Sequence, residues 1–344
     1  MPTDLIYLIL SFLFTSFFYR QVLIRKDLIN IYDHPSDRKI HNKKMLKVGG
    51  IGIVFSFLFI LCVYRLLNGE YIFQVRQDEV YVALSVIFLI IGGFVDDLIG
   101  LNAPRKLFFQ LISIGILLYS NFFIILFDSY LLNIVASTIL YIFIINSMNL
   151  IDGVDGLSSG IFIIFSSVIF FIFTLHGALD SKYYVVVLIF MGTIISFFSI
   201  NFPPAKIFLG DSGSQLLGWV MAISIIHLSS FYEQIYQKIY LLSFLSIPFY
   251  DVFCVIFRRF TSHKGSIAEK IIRIVKSDQN HIHHIMLKNN FSNSYTLFLL
   301  LLTFLVLTSV SLLPILFDGY YISVFLLILF IYIYIRSILE KKAN

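Results

Sequence analysis

"ILYIFIINSMNLIDGVDGLSSGIFIIFSSVIFFIF", residues 139–173, decides how this chain folds. Two strongly apolar runs flank a polar centre that holds Asn146, Asn149, Asp152 and Asp155 among glycines. Apolar runs of about 18–20 residues read as membrane-spanning helices, so the centre reads as a turn at a membrane surface. Carboxylates are costly beside so much apolar chain, and Asp152 and Asp155 therefore call for a purpose.

The pattern repeats along the whole sequence. Of 344 residues, 59% are hydrophobic and 13% charged, where soluble domains carry roughly 45–50% and about 25%. Apolar windows near 4–24, 48–67, 80–95, 107–127, 131–150, 157–176, 183–200, 213–231, 238–257, 295–314 and 320–336 predict about eleven transmembrane helices. They leave no room for a separate soluble domain. The expected fold is an all-α polytopic membrane protein, with residues 1–344 forming one integral-membrane unit. The first apolar segment lacks a basic leader and ends in "YRQVLIRK", so no cleavable signal peptide is expected. Cys62 and Cys254 lie inside apolar segments, without metal-ligand spacing or a disulfide framework.

Basic residues are unevenly shared between alternate loops. One side holds Arg25, Lys26, Arg38, Lys39, Lys43, Lys44, Lys47, Arg105, Lys106, Lys206 and the cluster from Arg258 to Lys288, together with Arg336, Lys341 and Lys342. The other keeps little more than Arg65, Arg76, Lys182 and Lys238. The positive-inside rule places the N-terminus outside and the C-terminus in the cytoplasm. Loops near 25–47, 96–106, 150–157, 201–214 and 258–294 then face the cytoplasm. The net charge of +5 reflects these loops and gives no sign of nucleic-acid binding.

Those loops carry the chemistry-bearing residues. "GGFVDDLIGL" (92–101) ends an apolar helix in Asp96 and Asp97. Adjacent carboxylates repel, which invites a divalent cation or a proton, though a solvated helix end would also hold them. In "NSMNLIDGVDGLSSG" (146–160), Asn146, Asn149, Asp152 and Asp155 step by three, along one stripe of any helical portion. Asn with Asp offers donors and acceptors together, suited to a nucleotide or sugar. "FLGDSGS" (208–214) sets Asp211 at a helix start: N-cap chemistry, or a metal ligand beside an anion-binding helix end. A trypsin-like reading of this string fails, because neither the partner residues nor a soluble fold is present.

"SDQNHIHHIML" (277–287) groups His281, His283 and His284 without a cysteine or the i, i+4 spacing of a zinc helix, which leaves phosphate contacts or a solvated turn. In "DHPSDRKIHNKKMLKVGG" (33–50), Arg38, Lys39 and His41 are candidate anion contacts. Lys43, Lys44 and Lys47 are assigned to the positive-inside rule.

Taken in order, "DHPSDRKIH…GG", "GFVDDLIG", "NSMNLIDGVDGLSSG", "FLGDSGS" and "HIHH" resemble the polyprenyl-phosphate N-acetylhexosamine-1-phosphate transferases, over nearly all of residues 33–290. The resemblance is strongest to the bacterial branch that starts O-antigen, enterobacterial common antigen or teichoic-acid linkage synthesis. It implies a bundle of ten or eleven helices in the bacterial cytoplasmic membrane, often a homodimer, with its active site on the cytoplasmic face. The implied reaction moves a sugar 1-phosphate, GlcNAc-1-phosphate foremost, from a UDP-sugar to undecaprenyl phosphate and releases UMP. Mg²⁺ is the implied cofactor, with Mn²⁺ as a substitute. By motif, Asp96, Asp97, Asp152, Asp155 and Lys106 are the implied catalytic residues, and Asp211 with Asp97 the metal ligands. Asn146, Asn149, Arg38, Lys39, His41, His281, His283 and His284 are the implied substrate contacts. Relatives carry proline before Gly49–Gly50, where this chain reads "NKKMLKV".

Charge chemistry agrees with such a reaction. Two anionic substrates must meet, so a cation and basic groups are needed to offset their repulsion. A phosphate monoester with a second pKa near ~6 is mostly dianionic at neutral pH, so Asp96 serves as a base or as a positioner of the lipid phosphate. A covalent aspartyl intermediate stays open. The competing readings are a phospho-MurNAc-pentapeptide transferase, which shares the acidic motifs, and a transporter, for which Asp251 is the main acidic candidate within a span.

Overall fold

The computed structural model describes residues 4–33, 44–69, 77–177, 181–262 and 281–343. Its long helices are α1 (Leu5–Ile24), α2 (Gly49–Asn68), α3 (Gln77–Ile99), α4 (Ala103–Tyr119), α5 (Tyr130–Ile151), α6 (Leu157–Leu175), α7 (Ser181–Asn201) and α8 (Gly210–Ser229). They are followed by α9 (Ile235–Tyr240), α10 (Ser246–Ser262), α11 (Ile282–Lys288), α12 (Asn293–Val310), α13 (Leu313–Phe317) and α14 (Tyr321–Ala343). The chain is an all-α polytopic membrane protein. Nine helical segments among the described residues are long and apolar enough to cross a membrane. The other two predicted windows also hold helix: α4 has 17 residues, and α8 opens with the polar run Gly-Asp-Ser-Gly-Ser-Gln.

Burial is inverted relative to a soluble protein. Leu13, Phe17, Phe108, Phe298 and Phe330 lie exposed, whereas Ser11, Thr15, Ser56, Ser85, Ser113 and Ser137 are buried. Lipid tolerates the large apolar surface, and small polar residues let helix backbones approach and bond across the bundle. Helix α8 shows the logic most fully. It packs against α2, α3, α5 and α6 and is buried along most of its length, so protein rather than lipid solvates its polar residues. Gln215 accepts from Gln110 at 3.2 Å, and Asn146 donates to Gln110 at 3.0 Å. Higher up, the Trp219 indole N–H donates to Ser85 Oγ at 3.0 Å. With no water to satisfy them at this depth, such groups must find partners in the bundle.

Short strands tie distant loops together. Tyr32–Asp33 pairs antiparallel with Met45–Leu46, and Leu46 bridges in turn to Ile207. The Phe208 N–H donates to the Leu46 carbonyl at 2.8 Å, Gly49 N–H to Phe208 at 3.0 Å, and Gly50 N–H to Leu209 at 2.8 Å. The segment before α2 is thus zipped to the segment before α8.

Several boundaries depart from the hydropathy windows, each for a local reason. Helix α3 continues to Ile99, so Asp96 and Asp97 are helical. Helix α4 starts at Ala103, ahead of the expected 107, because Asn102 caps it and Pro104 fits its first turn; Lys106 is therefore on a helix, not in a loop. It ends at Tyr119 instead of 127. Beyond it, the amides of Leu126 and Phe127 donate to Asn133 and that of Ile124 to Ser137, which satisfies the backbone without a helix. The 238–257 window is broken, with a 3₁₀ turn at Leu241–Leu245 between α9 and α10. Helix α5 stops at Ile151, so the expected stripe is helical only for Asn146 and Asn149.

Candidate active site

Helix α8 begins without a side-chain cap of its own, and α3 supplies one. Asp97 Oδ1 accepts from the Asp211 N–H at 2.7 Å. Its Oδ2 accepts from the Ser212 N–H at 3.0 Å and the Ser212 hydroxyl at 2.7 Å. A carboxylate from another helix thus fills the N-cap role, where free amides and the helix dipole favour negative charge. The approach requires Gly93, because a Cβ there would lie 2.5 Å from the Ser212 Cα.

Around this junction three carboxylates alternate with two ammoniums. Lys47 Nζ lies 3.0 Å from Asp97 and 2.8 Å from Asp211. Lys106 reaches Asp211 at 3.0 Å and also pairs with Asp96. Asn149 Nδ2 donates to Asp211 Oδ1 and to Ser214 Oγ, both at 2.8 Å. Asp211 is therefore the hub, reached by two cations and an amide. Burial alone would lower the Lys47 pKa, but Asp211 and Asp97 outweigh it and hold the ammonium above its ordinary range. Adjacent on one helix, Asp96 and Asp97 point about 100° apart and do different work: Asp97 holds a helix end and Asp96 faces Lys106.

The turn after α5 folds over the same end of the bundle. Asp155 Oδ2 accepts from the Ala205 N–H at 3.0 Å, and the Gly156 N–H donates to Asn201 at 2.8 Å. Both contacts lock the turn to the segment leading into α8. Loss of water pushes the Asp152 carboxyl well above the usual carboxylate range, with Asp211 adding to the effect. His283 packs against this turn: a Cβ on Gly153 would lie 2.4 Å from His283 Nε2. Burial pulls the His283 imidazole down to about 3, with His284 adding repulsion, so it sits here as a neutral ring. His281 stacks beside it, with centroids 5.9 Å apart, and its Nδ1 lies 2.7 Å from Asp251.

Residues 80–229 match the glycosyl transferase family 4 model. The chain is 31% identical over 268 residues to a probable undecaprenyl-phosphate N-acetylglucosaminyl 1-phosphate transferase of Bacillus subtilis (strain 168), which covers 74% of this chain and 69% of the relative. This chain belongs to glycosyl transferase family 4. It is also 28% identical to an undecaprenyl-phosphate alpha-N-acetylglucosaminyl 1-phosphate transferase of Thermotoga maritima, over 78% of each chain. A phospho-N-acetylmuramoyl-pentapeptide-transferase of Kosmotoga olearia is 27% identical over 65% of this chain and 74% of its own.

Within this family 4 chain, the structure brings together Asp96, Asp97, Lys106, Asn149 and Asp211, with Asp152, Asp155 and His283 at their edge. Asn146 is held one turn deeper by Gln110. Arg38, Lys39 and His41 lie outside the described residues. Lys47 was missed as a site residue, because a basic residue in a positively charged loop carries no signal of its own; its place two residues before Gly49–Gly50 was the available clue. Asp251 was read only as a mark of transport, whereas it holds His281.

Among the described residues, no three His, Cys, Asp or Glu side chains form a ready cation cage. The donor set nonetheless fits Mg²⁺, which is commonly held by one or two carboxylates plus substrate phosphates. Asp211 and Asp96, bridged by Lys106, would be the hard oxygen donors for it. Asp97 is already committed to the start of α8.

Proposed function

We propose that the protein transfers a sugar 1-phosphate, GlcNAc-1-phosphate foremost, from a UDP-sugar to a polyprenyl phosphate such as undecaprenyl phosphate and releases UMP. The site faces the cytoplasm from the bacterial inner membrane. The supporting observation is the convergence on Asp211 of Lys47, Lys106 and Asn149, beside Asp96. It offers oxygen donors for a cation and ammoniums for phosphate at one end of a membrane bundle, where an amphiphilic acceptor and a water-soluble donor can meet.

Asp211 and Asp96 would hold Mg²⁺, which when bound neutralises the diphosphate and polarises the phosphorus under attack. Lys47 and Lys106 then exchange carboxylate partners for phosphate oxygens and share the charge that spreads over them in the transition state. The acceptor phosphate is mostly dianionic near neutral pH, so its oxygen attacks the β-phosphorus without a general base. The bond from that phosphorus to the bridging oxygen breaks, and the electron pair leaves with UMP. Asn149 keeps Asp211 oriented, and the neutral, buried His283 backs the turn that carries Asp152 and Asp155.

Purified protein in nanodiscs should release UMP from UDP-GlcNAc only when both undecaprenyl phosphate and Mg²⁺ are supplied. Asp211→Asn should abolish turnover while the folded yield is unchanged. Release of UMP without lipid phosphate, or full activity of Asp211→Asn, would overturn the reading. Turnover of UDP-MurNAc-pentapeptide in preference to UDP-GlcNAc would move the chain to the other branch of the family.

A further inference from the structure

Asp251, on α10, is buried with 1% of its surface exposed. It takes four donors, two from the start of α11 and two from α14. His281 Nδ1 lies 2.7 Å from Oδ2, and the Ile282 N–H donates to Oδ1 at 3.0 Å. From the C-terminal helix, the Tyr332 hydroxyl donates to Oδ1 at 2.9 Å and an Arg336 guanidinium N–H at 2.6 Å. Three of the donors share Oδ1, and Oδ2 takes the His281 ring. What Asp251 can do is fix geometry: the first residue of α11 and the ring of His281 are held by one side chain.

Geometry extends the chain of contacts to the reaction centre. His281 stacks on His283 at 5.9 Å with rings 12° from parallel, and His283 rests on Gly153 between Asp152 and Asp155. Both partners from α14 converge on Oδ1 of Asp251, the oxygen that also accepts from the Ile282 N–H. Arg336 also donates to Glu340 at 3.0 Å, so its guanidinium is shared between two carboxylates and its plane is set. A buried carboxylate lacking a cation would be strongly disfavoured. Arg336 gives the buried Asp251 a cation partner at 2.6 Å.

We propose that Asp251 is a positioning residue, anchored by Tyr332 and Arg336 of the C-terminal helix, that fixes the His281 ring and the first turn of α11 against the acidic site. The inference rests on the transferase reading for its activity readouts. With Asp251 accepting, Nδ1 of His281 carries the proton and Nε2 is the nitrogen left to act elsewhere. Among the described residues, the charged and titratable groups around His281 are Asp251 on α10, His283 and His284 on α11, and Tyr332 and Arg336 on α14. Glu340 acts through Arg336, and Arg258 approaches Glu340 at 4.0 Å.

The test uses the full chain in nanodiscs. Asp251→Asn should lower kcat at least 10-fold with KM changed less than 3-fold, because the His281 ring loses the acceptor that fixes it. Arg336→Gln should lower kcat 3- to 10-fold in the same way, and Arg336→Lys should return it toward wild type. Tyr332→Phe removes one donor and should cost 3- to 10-fold in kcat; it carries the test should Asp251→Asn fail to fold. Well-folded variants with unchanged kcat and KM would overturn the proposal. Nitrogen-15 shifts of histidine-labelled protein read the ring without turnover. A protonated His281 Nδ1 that is lost in Asp251→Asn supports the clamp even if the wild type proves inactive with UDP-sugars, and an unprotonated Nδ1 in wild type rejects it.

Discussion

The Asp97 carboxylate receives both the N–H of Ser212, at 3.0 Å, and its hydroxyl, at 2.7 Å. Ser212→Ala removes one hydrogen bond to a charged group, worth about 1.5–3 kcal/mol, and should lower turnover roughly 10-fold by loosening the start of α8. Asp97→Asn turns an acceptor into a donor facing other donors, and should cost about 100-fold or more. UMP release and the thermal midpoint, measured side by side, check both. Wild-type behaviour of Asp97→Asn would remove the cap from the argument.

Lys47 stands between Asp97 and Asp211. Lys47→Met should reduce kcat about 100-fold, because a cation that answers phosphate charge is gone. It should also lower the half-saturating Mg²⁺ concentration several-fold, since Asp211 loses a competing positive charge. A Mg²⁺ titration of initial rates reads the two effects separately. A rise in the Mg²⁺ requirement would contradict the arrangement.

Gly153→Ala places a methyl group where only 2.4 Å separates it from His283 Nε2. The ring must move, and small displacements at a reacting centre are costly, so turnover should drop about 10- to 100-fold. Folding yield should change little, because the turn keeps its bonds from Asp155 and Asn201. Equal losses of yield and activity would mark Gly153 as a folding residue instead.

His283 is held neutral, with its pKa lowered to about 3, against about 6.5 in an unfolded chain. Below about pH 6 the unfolded chain binds a proton that the folded one refuses, so stability is full above that point and declines as pH falls toward 3. The slope for one such proton is at most about 1.4 kcal/mol per pH unit. Thermal unfolding from pH 7 to pH 4 should show this decline in wild type, and His283→Gln should flatten it.

Legibility in the sequence followed the physics of each residue. Apolar windows located helices because lipid imposes a simple demand on composition. They missed the end of α4, where Asn133 and Ser137 satisfy the backbone of an apolar stretch without helix. The 213–231 window found α8 but left out its polar opening at Gly210–Ser212, which protein neighbours rather than lipid surround. The acidic motifs stood out because carboxylates are rare beside such runs, yet Asp96 and Asp97 could not be told apart until their partners on α4 and α8 were in place. Lys47 was hidden by the surplus of lysine expected in its loop. The role of Asp251 depends on residues 30 and 85 positions away, and no local pattern encodes that.

The zipper between Leu46 and Phe208 has a bearing on biogenesis. At about 5–20 residues per second, the ribosome needs roughly 10–30 s to pass from one partner to the other. During that time the segment before α2 waits without its partner ahead of α8. Arg336 is later still, so the clamp on Asp251 can close only after the last helix has been made.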